Sequence, residues 1–172
     1  MTFRPRSFLA DKRGVAAMEF AFIAPVLIAL YLGAVELTLA FQAQTRLAHM
    51  ASAMADMAAQ NRAITTAQVD DVMQAGSVMT FPLPAAPLGQ RIASISRSST
   101  GVVTVDWTRS QNFECAPAPT VPAGFLNNNE SVIVADVRYE YPSTFSLILP
   151  PTMRFERHAY LRPRLSDKVE LQ

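Results

Sequence analysis

The 172-residue sequence predicts an α+β protein: a long N-terminal transmembrane helix packed on a small, mostly antiparallel β-sheet, with a single pass through the membrane. Three observations carry this. An uncharged run, Phe20 to Val35, follows a basic leader. Apolar residues then recur at helical spacing as Leu47, Met50, Met54 and Met57. Beyond them lie four β-rich runs separated by Pro, Gly, Ser and Asn.

Residues 1–14 read as a basic cytoplasmic leader, with Arg4, Arg6, Lys12 and Arg13 against Asp11. The sixteen residues of the uncharged run rise roughly 24 Å as a helix, short of a hydrocarbon core of about 30 Å. Adding Val15 to Met18 and Leu37 to Phe41 makes the span sufficient, provided that Glu19 and Glu36 sit near an interface or find partners. The excess of Arg and Lys before the run keeps the N-terminus cytoplasmic and sends the C-terminal part across, in a bacterium from the inner membrane into the periplasm. A cleaved secretory signal fits less well, because no Ala-x-Ala site follows and the run exceeds an ordinary h-region. An uncleaved signal anchor explains everything except Glu19, since a carboxylate deep in lipid costs on the order of 3 kcal/mol and usually has a partner. A cut after Gly14 would create one: the α-amine of Val15, protonated at neutral pH, would lie about one helical turn from Glu19 or face the Glu19 of a neighbouring helix. Pro25 removes one backbone hydrogen bond and favours a kink, as structure or as a hinge.

The Leu47-to-Met57 stripe extends the helix to about Gln60, giving a first unit over 15–62 and an extracytoplasmic domain over 63–172. That stripe is expected to pack under the protein's own sheet, while Ala-rich flanks would admit a second helix. Thr65 and Gln68 form a capping-box pattern before Val69, Val72 and Met73, a short amphipathic helix that Gly76 is expected to end. FPLPAAPLG is a Pro-rich connector. RIASISRS and GVVTVDWTR then predict a hairpin, with Val103, Val105 and Trp107 on one face of its second strand. SVIVADVRYEY predicts a third strand with Ile133, Ala135, Val137, Tyr139 and Tyr141 on one face. MRFERHAYLR predicts a fourth, with Met153, Phe155, Ala159 and Leu161 on the apolar face and Arg157 as the exception. Alternation leaves the strand order open.

Chemistry-bearing patterns are sparse. A net charge of +1 gives no footprint for nucleic acid. Cys115 is the lone cysteine and reads as a free thiol. His49 and His158 stand in separate segments without a metal-ligand pattern. No nucleophile motif or phosphate-cradling loop is present. Asp70 and Asp71 point in different directions on a helix and read as solvated surface, and Asn129-Glu130-Ser131 is a chance acceptor pattern. Arg154, Arg157, Arg162 and Arg164 are expected to form a basic sheet face or a dock for an acidic partner. The sequence therefore predicts no catalytic residue, cofactor, metal or small-molecule substrate.

The stretch DKRGVAAMEFAFIAPVLIALYLGAVEL resembles the N-terminal segment of the TadE-like family of the tight-adherence (Tad, or Flp) pilus system: Asp11, Gly14, Ala17, Glu19, Phe20, Pro25 and Glu36 stand where that pattern has them. Phe20 replaces the Tyr of the Flp-type motif, and the long C-terminal part is unlike a short major pilin, so the resemblance implies a pilin-like minor subunit of TadE or TadF type. It further implies an aspartic prepilin peptidase cutting between Gly14 and Val15, assembly roles for Glu19, Phe20, Pro25 and Glu36, and other Tad pilins and platform proteins as partners. Two other classes remain open: a bitopic periplasmic binding or scaffold protein, and a membrane-tethered enzyme.

Overall fold

The computed structural model describes residues 13–113 and 118–172; the leader before Arg13, and Cys115, lie outside the described residues. The long helix α1 runs over Arg13–Ala59, 47 residues, about 70 Å at the usual rise. It has two unlike halves. Up to Tyr31 its large apolar side chains, including Phe20, Phe22, Leu27 and Leu30, are exposed. From Gly33 onward one face is covered: Glu36, Ala40, Ala43, Leu47, Met50, Met54, Ala55 and Ala58 are buried at alternating steps of three and four with one-residue departures. The expected stripe thus packs inside the molecule at Leu47, Met50 and Met54, while Met57 is only half-buried. The alanines between them bring the helix backbone close to the sheet.

A two-residue strand β1 (Ala63–Ile64) leads into helix α2 (Thr66–Met79). The capping box is present: the Gln68 N–H donates to the Thr65 hydroxyl at 3.2 Å and the Thr65 N–H to the Gln68 side chain at 2.9 Å. Gly76 does not end this helix, contrary to the sequence expectation. It is buried, and a Cβ there would come within 2.8 Å of both Met54 Sδ and Gln90 Oε1. Its role is close approach of α2 to α1 and the sheet rather than a left-handed cap.

Four strands form the main sheet: β2 (Leu88–Arg97), β3 (Val103–Gln111), β4 (Ser131–Pro142) and β5 (Thr152–Leu161). Their order is β3-β2-β4-β5, all antiparallel, so the expected α+β architecture holds. On β4 the five residues expected on one face, Ile133 to Tyr141, are buried against α1. On β5 Met153, Phe155, Ala159 and Leu161 join them, and Arg157 reaches α1 by donating to Gln44 Oε1 at 2.6 Å. Strand β3 departs from expectation. Ser94 pairs with Trp107 but Ile95 pairs with Val105, leaving Asp106 as an extra residue. This bulge reverses the alternation, so Val103 and Val105 face away from the core that buries Trp107. Asp106 accepts from the hydroxyls of Ser96 at 2.8 Å and Ser94 at 3.3 Å.

The other sheet face carries a smaller apolar cluster of Ile95, Leu126, Val132 and Val134. At the end remote from the exposed half of α1, strand β6 (Glu170–Leu171) pairs in parallel with β1. There the Arg164 N–H donates to the Ala59 carbonyl at 3.0 Å, and Trp107 Nε1 to Val169 O at 2.8 Å. The C-terminal tail therefore clasps the end of α1. No common basic face forms from the four arginines. Arg154 faces Glu140, Arg162 is bidentate to Glu130, Arg164 pairs with Asp56, and Arg157 lies against α1.

Candidate functional site

The exposed half of α1 is built from residues that a water-facing helix does not carry on all sides. Val15, Met18, Phe20, Phe22, Ile23, Val26, Leu27, Ile28, Leu30 and Tyr31 are all more than half exposed, which marks either a membrane span or an interface between helices. Among the described residues one helix is long and apolar enough to cross a membrane, as a single-pass anchor requires. Pro25 lies within this half without ending the helix. Gly14 is open, with nothing near its Cα that would crowd a side chain. Val15 is exposed beside it. Glu19 is exposed on the same bare surface and has no hydrogen bond or ion pair to another described residue.

Glu36 is the opposite case. It is fully buried, and its carboxylate accepts from the Ser143 hydroxyl, from the Ser146 N–H at 2.7 Å and from the Ile148 N–H at 3.1 Å. These donors belong to the β4–β5 loop, Ser143 to Pro151, whose base is closed by a Ser143 N–H to Pro151 carbonyl bond of 2.9 Å. Ser146 turns the chain with a φ of 51°, within a loop that brings the Ser146 and Ile148 N–H groups to one acceptor. Ile148 lies on Gly33, where an added Cβ would collide with Ile148 Cδ1. The partner that Glu36 needs is thus supplied by its own chain. Sequence reading named Glu36 but missed Gly33, Ser143, Ser146 and Ile148. The available signal was the loop itself, STFSLILPP, a chargeless apolar connection between two strands where polar turn residues are the norm.

Titratable groups elsewhere serve the fold. Asp136, buried on the outer sheet face, accepts from Arg91 Nε at 2.8 Å and bonds His158 Nδ1 at 2.7 Å. Arg91 and Arg138 both lie over the Phe113 ring, at 4.7 and 4.5 Å from its centroid. Arg138 also pairs with Glu156 at 2.8 Å. The expected surface pair divides: Asp70 takes a bidentate bond from Arg109 at 2.8 and 2.7 Å, which holds its carboxyl below the usual range. Among the described residues no group of three His, Cys, Asp or Glu side chains is placed to hold a metal ion.

Residues 14–56, about a quarter of the chain, match the family model described as TadE-like protein. The resemblance drawn from the sequence is borne out over that segment. The match covers the bare half of α1 and most of the packed half, from Gly14 through Glu19 and Glu36 to Asp56. No curated protein and no solved structure matches the chain.

Proposed function

We propose that this chain is a non-enzymatic, pilin-like minor subunit that helps to initiate or organise a Tad/Flp pilus at the bacterial inner membrane. The observation that carries the reading is the bare apolar half of α1 with a Glu19 that has no partner among the described residues, inside a TadE-like segment. A plain anchor needs the apolar surface but gains nothing from a lone carboxylate in it. A subunit that stacks beside others has a use for both. The carboxylate meets the Val15 amine of a neighbour set back along the axis, and neutralising the pair favours one helix-to-helix offset over the rest. Phe20 and Pro25 would shape the contacts of that helix. Glu36 would act on assembly through the domain it holds to the helix.

On this reading a prepilin peptidase cuts between Gly14 and Val15, and the open surroundings of Gly14 support access for it. The N-terminus stays cytoplasmic and the sheet domain lies in the periplasm until the subunit joins a pilus base or the fibre. Intact mass and N-terminal sequencing of protein from native membranes, with and without the host peptidase, test this. A chain beginning at Val15 only when the peptidase is present agrees with it. A chain that keeps its leader in both leaves Glu19 without an amine and returns the protein to an uncleaved scaffold or a bitopic binding protein. Replacing residues 15–35 with an unrelated anchor separates these classes further, since a pilus subunit loses function and an anchored binder keeps it.

A further inference from the structure

The β4–β5 loop offers a second contact with the membrane. Its segment Phe145 to Leu149 carries no charge, and Phe145, Leu147 and Ile148 are 42, 55 and 59% exposed although each is large and apolar. A loop that ends in water is normally tipped with polar residues. This loop is also fixed in position. Glu36 gathers Ser143, Ser146 and Ile148, and Ile148 rests on Gly33, so the apolar tips sit at the level of residues 33–36 of α1.

That level is set by the helix. The eighteen residues from Val15 to Leu32 rise about 27 Å, close to the roughly 30 Å of a hydrocarbon core. A span beginning near Val15 therefore leaves the hydrocarbon at Gly33 to Glu36, where the loop is attached. The apolar surface of the loop continues that of the bare helix without a charged residue between them: from Phe20 to Val35, and from Ser143 to Pro151, neither segment contains Asp, Glu, Lys or Arg.

We propose that Phe145, Leu147 and Ile148 insert into the outer-facing leaflet of the bilayer that α1 crosses, with Glu36 as the residue that holds them at that depth. The inference rests on the membrane-span reading of α1. The domain is then attached at two points, helix and loop, which fixes its tilt on the membrane and keeps the Glu36 cradle away from water. Lipid is the occupant because the loop is continuous with the lipid-facing helix; a second copy of the chain is the competing occupant.

The test uses the full chain with Cys115→Ser, reconstituted in phosphatidylethanolamine and phosphatidylglycerol vesicles, with single nitroxide labels at Leu147, Phe145, Leu27 and Ser99. Ser99 lies in the exposed β2–β3 turn at the far end of the sheet. Accessibility to oxygen relative to a water-soluble nickel chelate is expected to be severalfold higher at Leu147 and Phe145 than at Ser99, and highest at Leu27. Lipid-like Leu27 with both loop labels as aqueous as Ser99 overturns the loop insertion alone. An aqueous Leu27 overturns the span reading and the insertion together. Loop labels shielded from both reagents, with spin coupling that disappears on dilution by unlabelled chain, overturn the lipid contact in favour of a second copy.

Discussion

Glu36 and Ser146 are joined by a 2.7 Å hydrogen bond across 110 residues of chain, from the carboxylate on α1 to an N–H in the β4–β5 loop. The bond couples the point where α1 becomes covered to the loop that follows the C-terminal end of β4, the sheet's longest strand. Because the Ser143 hydroxyl and the Ile148 N–H share the same carboxylate, removing it strands several donors at once. Glu36→Ala should therefore free the loop while leaving the sheet folded. Amide exchange at Ser146 and Ile148 is expected to quicken on the order of tenfold, the factor that one net hydrogen bond carries. Protection at Ile133 to Val137 should stay unchanged. Equal loss of protection in β4 would show that Glu36 supports the whole domain rather than one loop.

Two glycines with similar crowding should respond differently to alanine. At Gly76 the atoms in the way are the ends of Met54, Met50 and Gln90 side chains, which can move, and the helix gains about 1 kcal/mol of propensity. At Gly89 an added Cβ would come within 2.6 Å of the Asn112 carbonyl, part of the backbone leaving β3. Gly89→Ala should cost about 1–3 kcal/mol by forcing β2 and the end of β3 apart. Gly76→Ala should stay within about 1 kcal/mol of the parent. Denaturant midpoints of the full chain in micelles measure both, and a larger loss at Gly76 would reverse the assignment of which neighbours can yield.

Most of the fold was legible because it depends on local pattern. The capping box at Thr65, the five inward residues of β4 and the exceptional Arg157 of β5 each follow from a spacing that has one structural meaning. The failures came where a single residue changes meaning with tertiary context. Gly76 reads as a stop signal in sequence, yet here the backbone needs closeness to Met54. The bulge at Asp106 is one inserted residue, and no alternation rule marks it in advance. For the site, Glu19 and Glu36 were legible as charges out of place. The loop that satisfies Glu36 was not, since pairing across 110 residues is set by sheet topology and strand order was not readable.

Asp136 joins two partners with unequal burial. Its carboxylate is almost fully buried with Arg91, whereas His158 is about half exposed. Removing the shared acceptor, as in Asp136→Ala, should destabilise the domain by about 3 kcal/mol, the scale for breaking a buried ion pair. His158→Gln should cost less than about 1 kcal/mol, as exposed pairs do. Thermal unfolding of the two variants in the same micelles sets the order, and a larger effect from His158 would contradict it.

Glu130 links acid stability to the loop that precedes β4 and to Arg162, just past the end of β5. Its carboxyl is held below the ordinary range first by the Asn127 N–H at 2.9 Å, then by the Asn127 side chain and by Arg162. A depressed folded-state pKa adds stability above the unfolded value of about 4.3, and that contribution disappears as pH falls through the folded value. Asp70, lowered first by the hydrogen bonds from Arg109, acts in the same direction. Stability should thus fall with acidification below about pH 4 to 5. Glu130→Gln should lose stability at pH 7 and show a shallower acid decline. A decline as steep as the parent's would place the acid sensitivity on other carboxylates.

Glu19 gives the sharpest separation between an anchor and a subunit. It makes no bond within the described chain, so Glu19→Ala removes nothing that the fold uses. It also removes a carboxylate from the apolar surface, which makes membrane insertion easier by up to about 3 kcal/mol. A protein whose helix is only an anchor should therefore insert as well or better and keep its function. A subunit that aligns with neighbours through Glu19 should insert normally and fail to assemble. Fractionation reports insertion, and counting pili on cells that carry only the variant reports assembly. Wild-type pilus numbers with Glu19→Ala would remove the alignment role, because no other feature of the bare helix distinguishes one axial offset from another by charge.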